Sequence, residues 1–299
     1  MKKKLNIDVG GSVTEFKAYA KYLEMKNKLY RSLFRGKGLI FDGFRTYSPD
    51  DDAKDIDWKT SARANRIIMK KYKEERELKF IFVVDVSDSM VFGSEKKLKC
   101  EYTGEIVAAL GNLILESGDK IGLLIYNGKS HLYIPPTRKR QQLNIILNSL
   151  MEPNNYGGKS DFGSALEFID KNLGNKINVV MFFSDFLHFD RSYEKQLKQI
   201  VARYETIAFM VKDRLDKTLP NTNQEIKIQN PNTSEQIIIN PEIARKKYEK
   251  FAAEQEKMVE SVFVSNQIDF LELVTDKPFV NFLVEFLEER LLKRKGGIF

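Results

Sequence analysis

The run Phe80-Ile81-Phe82-Val83-Val84 constrains the fold more than any other stretch of the chain. It is wholly apolar, aromatic and β-branched, so it offers no polar face to water. That is the pattern of a strand buried on both sides in a central parallel sheet. The run breaks abruptly into Asp85-Val86-Ser87-Asp88-Ser89-Met90. In an open α/β sheet, ligands collect at the carboxyl ends of such strands. Carboxylate and hydroxyl oxygens suit a hard divalent cation such as Mg²⁺. Residues two apart in a turning loop can converge, so Asp85, Ser87 and Ser89 can present three oxygens to one ion. The same residues also suit a plain strand-to-helix connection in which Ser and Asp cap the following helix.

The segments downstream alternate in period. Helical spacing covers 98–116, followed by a buried strand, Lys120-Ile121-Gly122-Leu123-Leu124-Ile125-Tyr126. A turn at Asn127-Gly128 pairs it with His131-Leu132-Tyr133-Ile134. Helix 140–151 leads through a turn-rich loop, Asn154 to Asp161, into helix 162–172. A further apolar strand, 177–183, runs into Ser184-Asp185, and helix 193–204 and strand 206–211 follow. A polar hairpin (226–239) and a charged helix (241–262) precede the last strand, 268–274, and helix, 278–294. Alternation of this kind predicts an α/β fold with a doubly wound, mainly parallel sheet. The strand 80–84 stands at its middle.

Before the first buried strand the signals differ. Residues 12–34 have helical spacing, ended by Gly36-Lys37-Gly38. An Asp-rich loop then holds the only tryptophan: Arg45-Thr46-Tyr47-Ser48-Pro49-Asp50-Asp51-Asp52-Ala53-Lys54-Asp55-Ile56-Asp57-Trp58, with Ser61-Ala62-Arg63 and Ile67 to Tyr72 beyond it. Such a loop is ordinarily solvated, but the flanking Arg45 and Arg63 equally suit ordered ion pairing. The expected organisation is an N-terminal extension (1–75) packed on a main module (76–299), with an insertion at about 213–265. At 299 residues the chain can build a large core. Its surplus of 49 − 42 = +7 basic residues is scattered among glutamates rather than gathered in an aromatic-interleaved stripe, which argues against nucleic acid. One cysteine, Cys100, excludes an internal disulfide and fits a reducing compartment. No apolar core follows the basic start and no stretch is long enough to span a bilayer, so a cytoplasmic protein is expected.

Two strands thus end in carboxylates, Asp85 and Asp185, with Ser160 and Asp161 following glycines between them. This set resembles the metal-ion-dependent adhesion site of von Willebrand factor A domains. There an Asp-x-Ser-x-Ser loop, a Thr after glycines and a third-loop Asp hold one divalent ion. The resemblance implies Mg²⁺ or Mn²⁺ on Asp85, Ser87, Ser89, Ser160 (at the Thr position) and Asp185. Arg45 to Asp52, Ile56-Asp57-Trp58, Ser61-Ala62-Arg63, Asp119-Lys120-Ile121-Gly122, Ser184-Asp185-Phe186 and Val211-Lys212-Asp213 are further similar to the domain-of-unknown-function family fifty-eight. Asp50 and Lys54 depart from the Gly and Arg usual there, and Lys lacks the bidentate fork of Arg. Members of that family resemble companions of MoxR-type AAA+ ATPases. The resemblance therefore implies a non-catalytic protein-binding module whose ion captures an acidic side chain of that ATPase or its client.

Rival chemistries lack participants. A haloacid dehalogenase-type phosphohydrolase needs a second Asp where Ser87 stands. A P-loop needs Gly where Pro153 stands before Gly158-Lys159-Ser160. No Gly-x-Ser-x-Gly elbow occurs. Two histidines and one cysteine are too few for zinc. The remaining alternatives are a metal-dependent phosphohydrolase-like enzyme and a basic nucleic-acid-binding protein.

Overall fold

Along the chain, α1 (Val9–Tyr22), β1 (Leu39–Thr46), α2 (Trp58–Ala64) and β2 (Ile68–Glu74) precede β3 (Lys79–Asp85), the strand formed by the Phe80–Val84 run. Next come α3 (Lys99–Glu116), β4 (Lys120–Tyr126), β5 (His131–Thr137), α4 (Gln142–Met151), α5 (Phe162–Asn172) and β6 (Val179–Ser184). Then α6 (Glu194–Arg203), β7 (Glu205–Lys212), the single turn α7 (Arg214–Lys217) and the hairpin β8 (Ile226–Gln229) and β9 (Gln236–Ile239) follow. The chain closes with α8 (Pro241–Ser265), β10 (Asp269–Val274) and α9 (Phe279–Lys295). The structure, a computed structural model, describes residues 4–22, 39–48, 56–74, 77–128, 131–174, 176–229 and 236–295.

Six strands form the main sheet in the order β10-β7-β6-β3-β4-β5. Every neighbouring pair is parallel except β4 and β5, which lie too close in sequence for a parallel crossover and so pair antiparallel. The doubly wound, mainly parallel sheet expected from the alternation is therefore present, with β3 near its middle. Side chains of β3 alternate between two cores. Phe80, Phe82 and Val84 meet residues of α1, α3, α4 and α9, whereas Ile81 and Val83 meet those of α5, α6 and α8. Each such fully buried side chain contributes about 1.5–3 kcal/mol. Aromatic contacts tie the strands together: Phe183 stacks on Phe209 at 4.7 Å and meets Phe82 edge-on at 6.0 Å.

The winding reverses at β3. The chain runs outward through β4 and β5, then returns to lay β6 on the opposite side of β3. The connections leaving β3 and β6 lead to helices on opposite faces, so a crevice opens between their carboxyl ends.

Before the sheet, α1 starts at Val9, three residues ahead of the expected 12–34 helix, and residues 23–38 lie outside the described set. The N-terminal segment docks on α3. Asn6 and Asp8 donate backbone N–H groups to Glu101 Oε1 (2.7 Å) and Glu105 Oε1 (3.1 Å), and buried Ile7 fills the space over Gly104. A Cβ at Gly104 would lie 2.3 Å from Ile7 Cδ1, so a larger residue there would displace the Ile7 side chain. The alternation at 67–72 forms β2. Its partner β1 is not evident in the sequence, because Asp42-Gly43 interrupts its pattern where the register shifts between Phe41 and Gly43. The Asp-rich residues 49–55 lie outside the described set; Asp57 caps α2 by accepting the Thr60 N–H at 2.8 Å, and Trp58 is exposed. Within 213–265, the last turns of α8 bury Val259, Val262 and Phe263 against the sheet, so this helix is the crossover from β7 to β10.

Asp119 pins the start of β3. It is buried and its Oδ1 accepts the Leu78 N–H at 2.7 Å. Burial raises its carboxyl to about 6, against the opposing pull of that N–H and of Arg138. The native state thus binds more protons than the unfolded chain between about pH 4 and 6. Stability from this group is full below the unfolded value and is lost as pH rises through 6. Asp119→Asn is expected to stabilise the protein by roughly 1–2 kcal/mol at pH 8 and by nothing at pH 4. Urea midpoints at the two pH values test it; a gain of equal size at both would assign the effect to packing.

Candidate functional site

All five residues singled out in the sequence lie at the β3/β6 crevice, on three loops. Asp85 ends β3 and is fully buried. Its Oδ1 accepts the Ser87 N–H at 2.9 Å, which folds the chain back over the strand end. Its Oδ2 accepts two hydroxyls, from Ser160 and Ser184, each at 2.7 Å. Ser87 Oγ and Ser89 Oγ are 3.1 Å apart, and the Ser89 hydroxyl faces the Asp185 carboxylate.

The second loop is stitched onto the first. Gly157 donates its N–H to Val86 O at 2.9 Å, and Asp88 and Gly158 exchange two bonds: Asp88 N–H to Gly158 O and Gly158 N–H to Asp88 Oδ2, each 2.9 Å. Gly157 and Gly158 have φ of 132° and 81°, conformations that favour glycine and let the loop lie this close. Ser160 is thereby delivered to Asp85, while Asp161 caps α5 through the Ser164 N–H at 2.9 Å. The third loop is strained. Phe186 has φ of 50°, held by ring contacts to Phe162 and Phe263 at 5.6 and 5.1 Å. That turn directs the Leu187 N–H to Asp185 Oδ1 at 3.1 Å.

Other residues complete the crevice without having been singled out in the sequence. Lys99, the first residue of α3, is buried and its Nζ bridges Asp185 Oδ2 (2.7 Å) and Asp216 Oδ2 (2.8 Å). A cation in a first helical turn opposes the helix dipole, so the two carboxylates hold it there. Lys212, at the end of β7, is a second buried lysine facing Asp185 and Asp216. Next to it Asp213 is a hub, accepting Ser94 N–H (2.8 Å), Ser94 Oγ (2.5 Å), Leu215 N–H (2.8 Å) and Thr275 Oγ1 (3.3 Å). Lys212-Asp213 belongs to the family-like motif, but nothing in the sequence pairs it with Asp185. Ser184 was visible only as the residue before Asp185.

The electrostatics separate the two strand-end carboxylates. Burial first, and then repulsion from Asp185, raise the Asp85 carboxyl above its ordinary value. Burial would raise Asp185 too, but attraction from Lys99 and Lys212 outweighs it and holds Asp185 low. No ion pair among the described residues includes Asp85. Beside it the buried Tyr126 hydroxyl lies near Ser184 and Ser160 without a hydrogen bond of ordinary geometry. A buried carboxylate without a cation, a buried hydroxyl without a partner and an all-oxygen donor set fit a small hard cation. Among the described residues no group of three or more His, Cys, Asp and Glu is placed to hold a metal. An ion here would therefore depend on serine oxygens and water.

A doubly wound α/β module with an oxygen-lined crevice at its switch point is the class of protein that the fold and site define. The chain belongs to the family described as Protein of unknown function DUF58, which matches residues 43–258. Rv1480 of Mycobacterium tuberculosis and Mb1516 of Mycobacterium bovis, both uncharacterised, are each 26% identical over 258 residues, covering 85% of this chain and 79% of theirs. Among solved structures, the chain is similar to the conserved hypothetical protein BatB from Bacteroides thetaiotaomicron (12% identity, TM-score 0.46, 74% of this chain and 100% of that one). It is also similar to the SpRpn10 VWA domain (10% identity, TM-score 0.43, 70% of this chain and 94% of that one). No helix among the described residues is long and apolar enough to cross a membrane.

Proposed function

We propose that this chain is a non-catalytic protein-binding module that holds one divalent ion, Mg²⁺ or Mn²⁺, at the β3/β6 crevice and captures an acidic side chain there. The observation that carries the reading is Asp85: a buried carboxylate with no paired cation among the described residues, held by the Ser87 N–H and the hydroxyls of Ser160 and Ser184. Asp85, Ser87, Ser89 and Ser160 would hold the ion, with Asp185 acting through Ser89 or water because both of its oxygens are engaged. When bound, the ion supplies open coordination positions that a partner's carboxylate can fill. The chain's own residues set the geometry: the Gly157-Gly158 turn fixes Ser160, and the Phe186 turn fixes Asp185. A phosphohydrolase reading finds less support. The position where a second acid would move a proton is Ser87, whose hydroxyl meets Ser89 instead.

The partner that the family resemblance implies is a MoxR-type AAA+ ATPase or its client. Affinity capture from extract should retain a partner in Mg²⁺, release it on chelation and fail with Asp85→Ala. Retention indifferent to chelator would reject the ion bridge, and metal-dependent hydrolysis of a phosphate ester by pure protein would reassign the chain to catalysis.

A further inference from the structure

The Lys99 ammonium is buried among carboxylates, and its removal from them would be strongly unfavourable. It lies 2.7 Å from Asp185 Oδ2 and 2.8 Å from Asp216 Oδ2, with side-chain exposures of 1% for Lys99, 1% for Asp185 and 10% for Asp216. Asp216 is fixed in turn, since its Oδ2 accepts the Asp213 N–H at 2.8 Å. The other oxygen of Asp185 accepts the Leu187 N–H at 3.1 Å. Lys212 faces the same two carboxylates from β7. Asp185 is thus already satisfied by the protein, whereas Asp85, at the end of the neighbouring strand, accepts only neutral donors.

We propose that Lys99 is a built-in counter-cation that withholds Asp185 from an ion at the Asp85 site, so that binding of the ion is completed by the carboxylate of an acidic partner. This rests on the ion reading above. Lys99 engages Asp185 and Asp216 directly, so of the two strand-end carboxylates only Asp85 is left with neutral donors for an ion. With Asp185 held by Lys99, a coordination position is left for the carboxylate of a partner. Ion and carboxylate then bind with positive coupling, which by linkage is reciprocal.

The test is calorimetric titration of the full chain with Mn²⁺ alone, and with Mn²⁺ in excess acetate as the probe carboxylate. Acetate should tighten Mn²⁺ binding to the wild type. Lys99→Met should bind Mn²⁺ on the order of tenfold more tightly than the wild type and gain less from acetate, because the freed Asp185 takes the partner's place. Lys99→Met/Asp216→Asn, which deletes one cation with one anion, should behave alike and guards against misfolding of the single variant. Mn²⁺ affinity that is unchanged or lower in a folded variant, or a wild type indifferent to acetate, overturns the proposal while leaving the ion reading intact. A wild type that binds Mn²⁺ no better than Asp85→Ala overturns both.

Discussion

Asp85→Ala is expected to abolish any rise in melting temperature caused by Mg²⁺ or Mn²⁺. A ligand that binds only the folded state stabilises it by about 2.7 kcal/mol at a hundred times its Kd. For a protein of this size that corresponds to about 5–10 °C. Asp85 has no ammonium partner among the described residues, and the other strand-end carboxylate, Asp185, is held by Lys99, so it does not replace the charge of Asp85. Ser160→Ala, which removes one neutral oxygen and keeps the carboxylate, should diminish the shift and not eliminate it. Thermal scans in chelator and in millimolar metal decide the matter. Equal metal responses from wild type and Asp85→Ala would show that the crevice holds no ion.

Asp213→Ala is expected to cost about 3–5 kcal/mol, the largest loss of stability foreseen for a single side chain of the loops around the crevice. The carboxylate is fully buried and gathers two backbone N–H groups and two hydroxyls from Ser94, Leu215 and Thr275. Alanine leaves the Ser94 and Leu215 N–H groups without acceptors, at about 1–3 kcal/mol each. Although burial raises its carboxyl, these donors outweigh it and hold Asp213 below the ordinary range. Its contribution is therefore present at neutral pH and lost as pH falls through the folded value. Urea unfolding should show a lower midpoint with an unchanged slope. A loss under about 1 kcal/mol would mean that water replaces the carboxylate and that the hub is not structural.

Much of the fold was legible because its signals are local. A buried parallel strand reads as a continuous apolar run, which located β3, β4, β6 and β7, and the helices between them carry their own period. The strand β1 was hidden because Asp42-Gly43 breaks its alternation at a bulge. The site divides along the same line. Asp85, Ser87 and Ser89 lie two apart in one short stretch, so a single turn brings them together, and the glycines before Ser160 announce a loop able to approach closely.

The sequence by itself determined the α/β alternation, the strand ends rich in oxygen and which residues stand on the loops at those ends. Tertiary structure decided the strand order, and with it which strand ends meet. Laying β6 on the far side of β3 sets Asp185 beside the Asp85 loop, and laying β7 beyond it brings Lys212 and Asp216 to the same crevice. The Lys99 bridge joins residues 86 and 117 positions apart. With 49 basic and 42 acidic side chains, the sequence is compatible with very many such pairings. Charge attraction has no period along a chain, so only the packed fold selects the pair that is buried.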